Sequence, residues 1–260
     1  MKQSILLLAA CVLLAACTAT GGKDNGTMTT RHIDLGGIYK SLEVSSAFNV
    51  VMSDTIAVPT LTIAERLADK VDIRIENREL KIGFKSGKQH IDGGEATLLL
   101  PYNEQLRSVE LSGASHFTST RPMGSDLANV ELSGASVYSG DLCASRVEIE
   151  LSGASHYSGS IQAGDLDIEA SGASDATLTG TCSHEMELDI SGASSVDARN
   201  LGAQTVHGEV GGASKADVTI CDALRLDVSG ASHITYATVA DGCAPDIRVN
   251  TTGASTLRQR

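Results

Sequence analysis

The sequence predicts an all-β fold, a parallel β-helix wound in coils of about 20 residues, on three observations. The tetrapeptide Ser-Gly-Ala-Ser begins at Ser112, Ser133, Ser152, Ser171, Ser191 and Ser229, with variants beginning at Gly211 and Thr252. The spacings run 21, 19, 19, 20, 20, 18 and 23 residues. Apolar residues stand two, four and six places before the central Gly in most coils, with polar residues between them, as in Val147, Ile149, Leu151 or Met186, Leu188, Ile190. Such strict alternation marks a strand with one buried face, and no helical period fits these windows. Aromatic residues make up only 3% of the chain, Trp is absent and Gly reaches 26, which suits a narrow interior and argues against large rings inside it.

The elements follow in order along the chain. Lys2 precedes an apolar run from Ile5 to Ala16 that is too short for a lasting membrane span and has the form of a secretory signal. Leu14-Ala15-Ala16-Cys17 resembles the lipobox of bacterial lipoproteins, in which cleavage leaves a lipidated N-terminal cysteine. An ordinary signal without lipidation is the simpler alternative. Residues 17–30 are small and polar and read as a flexible tether. Residues 31–105 alternate like strands but lack the repeat: Leu42–Phe48 looks like a worn copy of it, and Val71–Ile75 and Leu80–Phe84 flank a turn at Asn77 and Arg78. This region is expected to form divergent coils or a capping β subdomain, with residues 85–94 as a basic protruding loop. Residues 106–260 form the repeat proper.

Within each coil the pattern reads strand, tight corner, strand, loop. The corner Gly supplies backbone freedom, and the second Ser of the motif has inward parity, so a buried column of hydroxyls that need partners is expected. Repeats in one phase suit parallel stacking of coils about 4.8 Å apart. A β-sandwich or β-prism is the runner-up, but its hairpins would favour Asn-Gly or Asp-Gly at the corners.

The leader, the Phe48–Val51 strand, the Leu80-Lys81-Ile82 strand, the Leu99-Leu100-Pro101 step and the Gly-Ala-Ser ladder together resemble the auto-transporter adhesin head (GIN) domain family, frequent in Bacteroides and their relatives. The resemblance covers roughly residues 31–257. It implies a right-handed parallel β-helix on the cell envelope with an adhesive role, and it carries over no catalytic residue.

The net charge of −12 excludes nucleic acid as a partner, because an acidic surface repels phosphates and no aromatic platform is available. The most distinctive surface feature is a column of acids three residues before each corner Gly: Glu110, Glu131, Glu150, Glu169, Asp189, Glu209 and Asp227, closed by Asn250. Glu148, Asp167 and Glu187 form a second column beside it, with no Arg or Lys expected inside the grid. Like charges one strand apart repel by roughly 1 kcal/mol per neighbour in water. The functional reading is a face for Ca²⁺ or a cationic ligand. The simpler one is a solvated face that keeps the tube soluble. No other cofactor is expected.

His116, His156 and His233 share a column but lie in the first, third and seventh coils, too far apart for one metal ion. Cys143, Cys182 and Cys221 lie two coils apart, whereas Cys221 and Cys243 fall in adjacent coils and have the spacing for a disulfide, with single buried thiols as the alternative. The expected product is an exported, lipid-anchored protein of the cell envelope, on the outer membrane, that binds glycans or other envelope components. A polysaccharide lyase or hydrolase using the acidic face, and a structural protein that self-associates through its C-terminal coil, are the alternatives.

Overall fold

The computed structural model describes residues 27–85, 96–239 and 244–260. The lipidation position Cys17, nearly all of the expected basic loop and Cys243 therefore lie outside the described residues. The fold is a parallel β-solenoid of about 7 turns, with 2% helix. The N-terminal part comprises β1 (Met28–His32), β2 (Ser41–Val44), β3 (Asn49–Ser53), β4 (Thr60–Ala64), α1 (Glu65–Ala68), β5 (Val71–Glu76), β6 (Glu79–Phe84) and β7 (Ala96–Pro101). The repeat begins with β8 (Ser108–Leu111), β9 (His116–Ser119), β10 (Leu127–Leu132), β11 (Val137–Ser139) and β12 (Leu142–Leu151). It continues with β13 (His156–Ala170), β14 (Asp175–Ile190), β15 (Ser195–Val210), β16 (Lys215–Val228), β17 (His233–Thr238), β18 (Asp246–Thr251) and β19 (Thr256–Gln259).

Coils stack in parallel and in the register that the repeat demands: Val147 meets Leu166, Leu166 meets Met186, and Met186 meets Val206. These inward residues are buried throughout, and the core is one continuous column. In the middle coils the expected loop is absent. The chain runs as one long strand from corner to corner and turns the solenoid at register shifts, such as those between Ala163 and Leu166 and between Cys182 and Glu185. Bending within a hydrogen-bonded strand keeps the backbone paired where a loop would leave it open.

The corners explain why Gly recurs in every coil of the repeat. At Gly153 φ is +73°, a left-handed conformation that side chains resist, and an added Cβ would lie 2.5 Å from the Gly134 carbonyl oxygen of the coil before. Stacked corners are joined by a hydrogen bond from each Ala N–H to the preceding Gly carbonyl, 2.7 Å for Ala154 to Gly134. The second Ser of the motif is buried in seven coils, from Ser115 to Ser232. Its hydroxyl finds a partner chiefly inside its own turn. Ser136 Oγ donates to the Ser133 carbonyl at 2.8 Å and Ser174 Oγ to the Ser171 carbonyl at 2.9 Å, so burial of the column leaves no orphan there.

The interior departs from expectation in its aromatic rings. Phe117, Tyr138 and Tyr157 stack inside the tube with centroids 5.2 Å apart, so large rings do enter the core of the first coils. A shared inward position in successive parallel coils puts rings close to stacking distance, and scarcity over the whole chain does not prevent three from clustering. Tyr157 Oη donates to the Gly140 carbonyl at 3.3 Å, whereas the buried Tyr138 hydroxyl has no hydrogen-bond partner among the described residues. Tyr138→Phe is therefore expected to stabilise the protein by about 1 kcal/mol, because the stack stays and an unpaired buried hydroxyl goes. Urea titration checks this, with Tyr157→Phe, which loses a bond, expected to shift the other way.

The N-terminal region is both coil and cap, and its order is permuted. On one side the strands stack β6, β2, β8, β10; on the other, β7, β3, β9, β11. The worn repeat thus supplies a real coil, with Glu43 in register with Glu110, and Ser46 takes the corner at φ +69° in place of Gly. The chain then leaves, forms the outermost coil from β6 and β7, and crosses back over to β8. The open edges of that outermost coil are covered by antiparallel strands: β5 on β6 through a hairpin with positive φ at Asn77 and Arg78, β4 on β7, and β1 on β4. β1 starts at Met28, so the last three residues of the expected tether are strand, drawn in by the free edge of β4. At the far end β18 and β19 are the last strands, and no such cover lies over them among the described residues.

Candidate functional site

The acidic column forms as the spacing predicts. Glu110 pairs with Glu131, then Glu150, Glu169, Asp189, Glu209 and Asp227 follow in unbroken register to Asn250. Each sits on the outward side of a strand whose neighbours point inward, so all seven acids are exposed. Two residues upstream, Glu148, Asp167 and Glu187 stack in the same way and are half-buried. The ends of the first column are tied. Asn250 Nδ2 donates to Asp227 Oδ1 at 2.8 Å, while at the other end Glu43 extends the column and Lys81 Nζ bridges it at 2.6 Å and Glu79 at 2.9 Å.

Cations do enter the grid, contrary to the sequence reading. Arg146 Nε lies 2.8 Å from Glu148 and its Nη2 lies 3.4 Å from Asp167. The second column changes sign along the axis: after Glu187 come His207, Arg225 and Arg248 in register. These residues stand five before Gly212, Gly230 and Gly253, the offset of Glu187 from Gly192, so the same count along the sequence locates them. Arg146 escapes that count because its side chain reaches across from a neighbouring row. Glu43 was legible from its place in the worn repeat, but Lys81 depends on the permuted coil order.

A groove of about 640 Å³ runs lengthwise beside the first column, over seven coils from Glu131 to Asn250. One wall is the acids from Glu131 to Asp227, and the other is the first residue of each corner motif, including Ser152, Ser171, Ser191 and Ser229. The corner hydroxyls make only long bonds to the coil before, 3.3 Å for Ser152 to Leu132 and 3.4 Å for Ser171 to Leu151. The groove thus pairs one carboxylate with one corner hydroxyl in the Glu150, Glu169, Asp189 and Asp227 coils, and Gly211 interrupts the row of hydroxyls beside Glu209.

Crowding shows in the protonation of the acids. The Glu150 carboxyl is held above its ordinary value by partial burial and then by Glu131, Glu169, Glu148 and Asp167. Glu110 is raised by partial burial and by Glu131, with Lys81 pulling it back, and Asp167 is raised by partial burial and Glu187, with Arg146 opposing. Each group takes up its proton at higher pH in the folded chain than in the unfolded one. The folded state then binds more protons in the window between the ordinary value, 4.5 for Glu150, and the raised one. Stability therefore increases as pH falls through that window and is lost as pH rises out of it. The melting temperature is expected to be higher at pH 5 than at pH 8 in low salt. The difference should narrow in Glu150→Gln/Glu169→Gln and in high salt, which calorimetry would show.

Among the described residues no three of His, Cys, Asp and Glu converge as a ready metal site. His116, Val137, His156 and Asp175 occupy successive coils of one column, which keeps the histidines apart as expected. Cys143 is exposed and Cys182 is buried, its Sγ 3.1 Å from the Glu185 carbonyl, so the two thiols lie on opposite sides of the wall. The Cys221 and Cys243 pairing lies outside what the described residues show.

Residues 39–239 match the family described as "Putative auto-transporter adhesin, head GIN domain". The chain belongs to this family. The GIN solenoid is similar to a solved structure of a putative adhesin from Parabacteroides distasonis, at 19% identity and TM-score 0.76, covering 91% of this chain and 98% of that one. A putative lipid binding protein from the same species matches at 17% identity and TM-score 0.75, with coverage of 91% and 98%. A putative adhesin from Bacteroides fragilis matches at 15% identity and TM-score 0.65, with coverage of 92% and 100%. At these identities the likeness is one of fold. No match is found among curated proteins. Among the described residues no helix is long and apolar enough to cross a membrane.

Proposed function

We propose that this GIN-family chain is an adhesin-like binding module of the cell envelope, anchored to the outer membrane through lipid on Cys17, that holds extended polar ligands along the acidic groove. The observation that carries the reading is the groove itself: a carboxylate in each of six successive coils, paired with a corner Ser hydroxyl in four of them and with Gly211 breaking the series in the Glu209 coil. A track of similar weak contacts suits a polymer such as a glycan, whose units engage in succession, better than a small molecule. Family membership supports the adhesive class. Ca²⁺ bridging adjacent carboxylates would relieve their repulsion and present a cation to ligand hydroxyls.

The test uses the chain from Cys17 onward on a panel of polysaccharides and matrix glycoproteins, with Ca²⁺ or with chelator, read for retained protein and for new reducing ends or unsaturated products. Retention without product, weakened in Glu150→Gln/Glu169→Gln, is the expected result. Product absent from that variant would replace the reading with a polysaccharide lyase or hydrolase. Concentration-dependent oligomers with no retention would replace it with self-association through β18 and β19. If Ca²⁺ acts on the ladder, it raises the melting temperature beyond NaCl of matched ionic strength.

A further inference from the structure

We infer that the cap end of the solenoid carries a membrane-seating surface, an apolar groove formed by Leu35, Ile38, Val58, Pro59 and Tyr102 that meets the headgroup and acyl boundary of the bilayer. Of the five large apolar side chains that are well exposed among the described residues, Ile38 at 66% and Val58 at 49% line this groove, and Met28 lies at the far end of β1. The other two, Leu127 and Val239, lie in the repeat and are less exposed, at 39% each. A cavity of about 370 Å³ is lined by Leu35, Ile38, Pro59 and Tyr102 on its apolar side and by Asn103, Glu104 and Gln105 on its polar side, and a shallower one beside it shares Leu35 and Pro59 and adds Val58 with His32 and Asp34. Contiguous exposed apolar surface of this kind costs solvation in a free protein and marks a contact site.

The chemistry of the rim suits a lipid interface. The Tyr102 ring is half-buried, its hydroxyl donates to the Pro122 carbonyl at 2.8 Å, and the Arg121 guanidinium lies 4.8 Å from its centroid. An apolar ring with a polar tip beside an Arg is the combination that sits well at headgroup depth. The acidic groove, by contrast, lies along the repeat from Glu131 to Asn250 and shares no lining residue with this surface.

Chain length selects the bilayer as occupant. Ten residues, Thr18–Thr27, separate Cys17 from the start of β1, and they reach at most about 35 Å. β1 then leads directly into the groove, since Ile33, the residue after it, bonds to the Pro59 carbonyl at 2.9 Å. A lipid on Cys17 would therefore hold this end within a short distance of the membrane and raise the effective concentration of a weak contact. The inference rests on the anchoring proposed above.

The absence of Trp makes the test clean, because one introduced Trp is the sole reporter. The chain from Cys17 with Cys17→Ser and an N-terminal His-tag is held on phosphatidylcholine vesicles by nickel-chelating lipid. Ile38→Trp is compared with Val239→Trp, using lipids with brominated acyl chains as quencher. Emission from Ile38→Trp is expected to shift to the blue and lose most of its intensity, with Val239→Trp unchanged and the effect abolished by adding Val58→Asp. An Ile38→Trp signal that ignores the brominated chains, or a blue shift that grows with protein concentration without lipid, would overturn the inference, the latter in favour of a second copy as occupant. Circular dichroism of each variant confirms its fold. Failure of the anchor itself is read separately, as an unlipidated N-terminal peptide in the chain produced with its leader.

Discussion

Gly172→Val is expected to cost about 4 kcal/mol or more and to break the solenoid at mid-length. Gly172 sits at φ +78°, and a Cβ there would lie 2.5 Å from the Gly153 carbonyl oxygen. That oxygen cannot give way, because it accepts the Ala173 N–H at 2.7 Å, and the Gly172 carbonyl in turn accepts from Ala193 at 2.7 Å. A β-branched residue adds to backbone strain a steric conflict within a hydrogen-bonded ladder. In a stack where each coil touches only its neighbours, a lesion at one corner uncouples the halves. Gly202→Ala is the control: its Cβ would meet only Val239 Cγ2 at 3.7 Å, so it should change stability by less than about 0.5 kcal/mol. Urea unfolding of both variants, followed by circular dichroism, decides the matter. Equal stabilities would show that the corner tolerates a side chain and that the repeat of Gly has another cause.

Phe48→Ala is expected to cost about 3–5 kcal/mol, the range for emptying a buried aromatic site. Phe48 is fully buried, and its ring packs against Phe84 with centroids 5.4 Å apart. Its importance comes from the permuted stacking. The coil of β2 and β3 lies between β6 and β7 on one side and β8 and β9 on the other, so a cavity there loosens the cap from the repeat. Amide exchange should therefore speed up in β6 through β9 and leave β14 and β15 protected. Acceleration confined to residues 41–53 would show that the cap holds to the repeat without this contact.

Much of the molecule was legible in the sequence because a solenoid is built from local rules. Alternation of Ile168 with Glu169 sets which side chain faces inward, and a fixed corner interval sets which residue lies above which. Once parity and register are known, the acidic column from Glu110 to Asp227 follows by counting, and so does the change of sign at His207, Arg225 and Arg248. Aromatic scarcity misled, because composition is a property of the whole chain while stacking of Phe117, Tyr138 and Tyr157 depends on three positions. The expected loop in each coil misled for a similar reason: polar residues near Gly164 and Ser183 are compatible with a bend inside a paired strand.

The sequence by itself determined the all-β class, the 20-residue coil, the inward and outward faces and the acidic ladder, since each depends on residues near one another in the chain or one repeat apart. Tertiary structure alone decided the order of the first coils, the reach of Lys81 and Arg146 into the grid, the groove between carboxylates and corner hydroxyls, and the apolar surface at the cap. Those features join segments that share no period. Residues 41–53 could stack against either edge by their own alternation, and the choice rests on how β4, β5 and β1 cover the outermost coil. That choice depends on burying two open sheet edges at once, a condition set by the whole domain rather than by any segment of it.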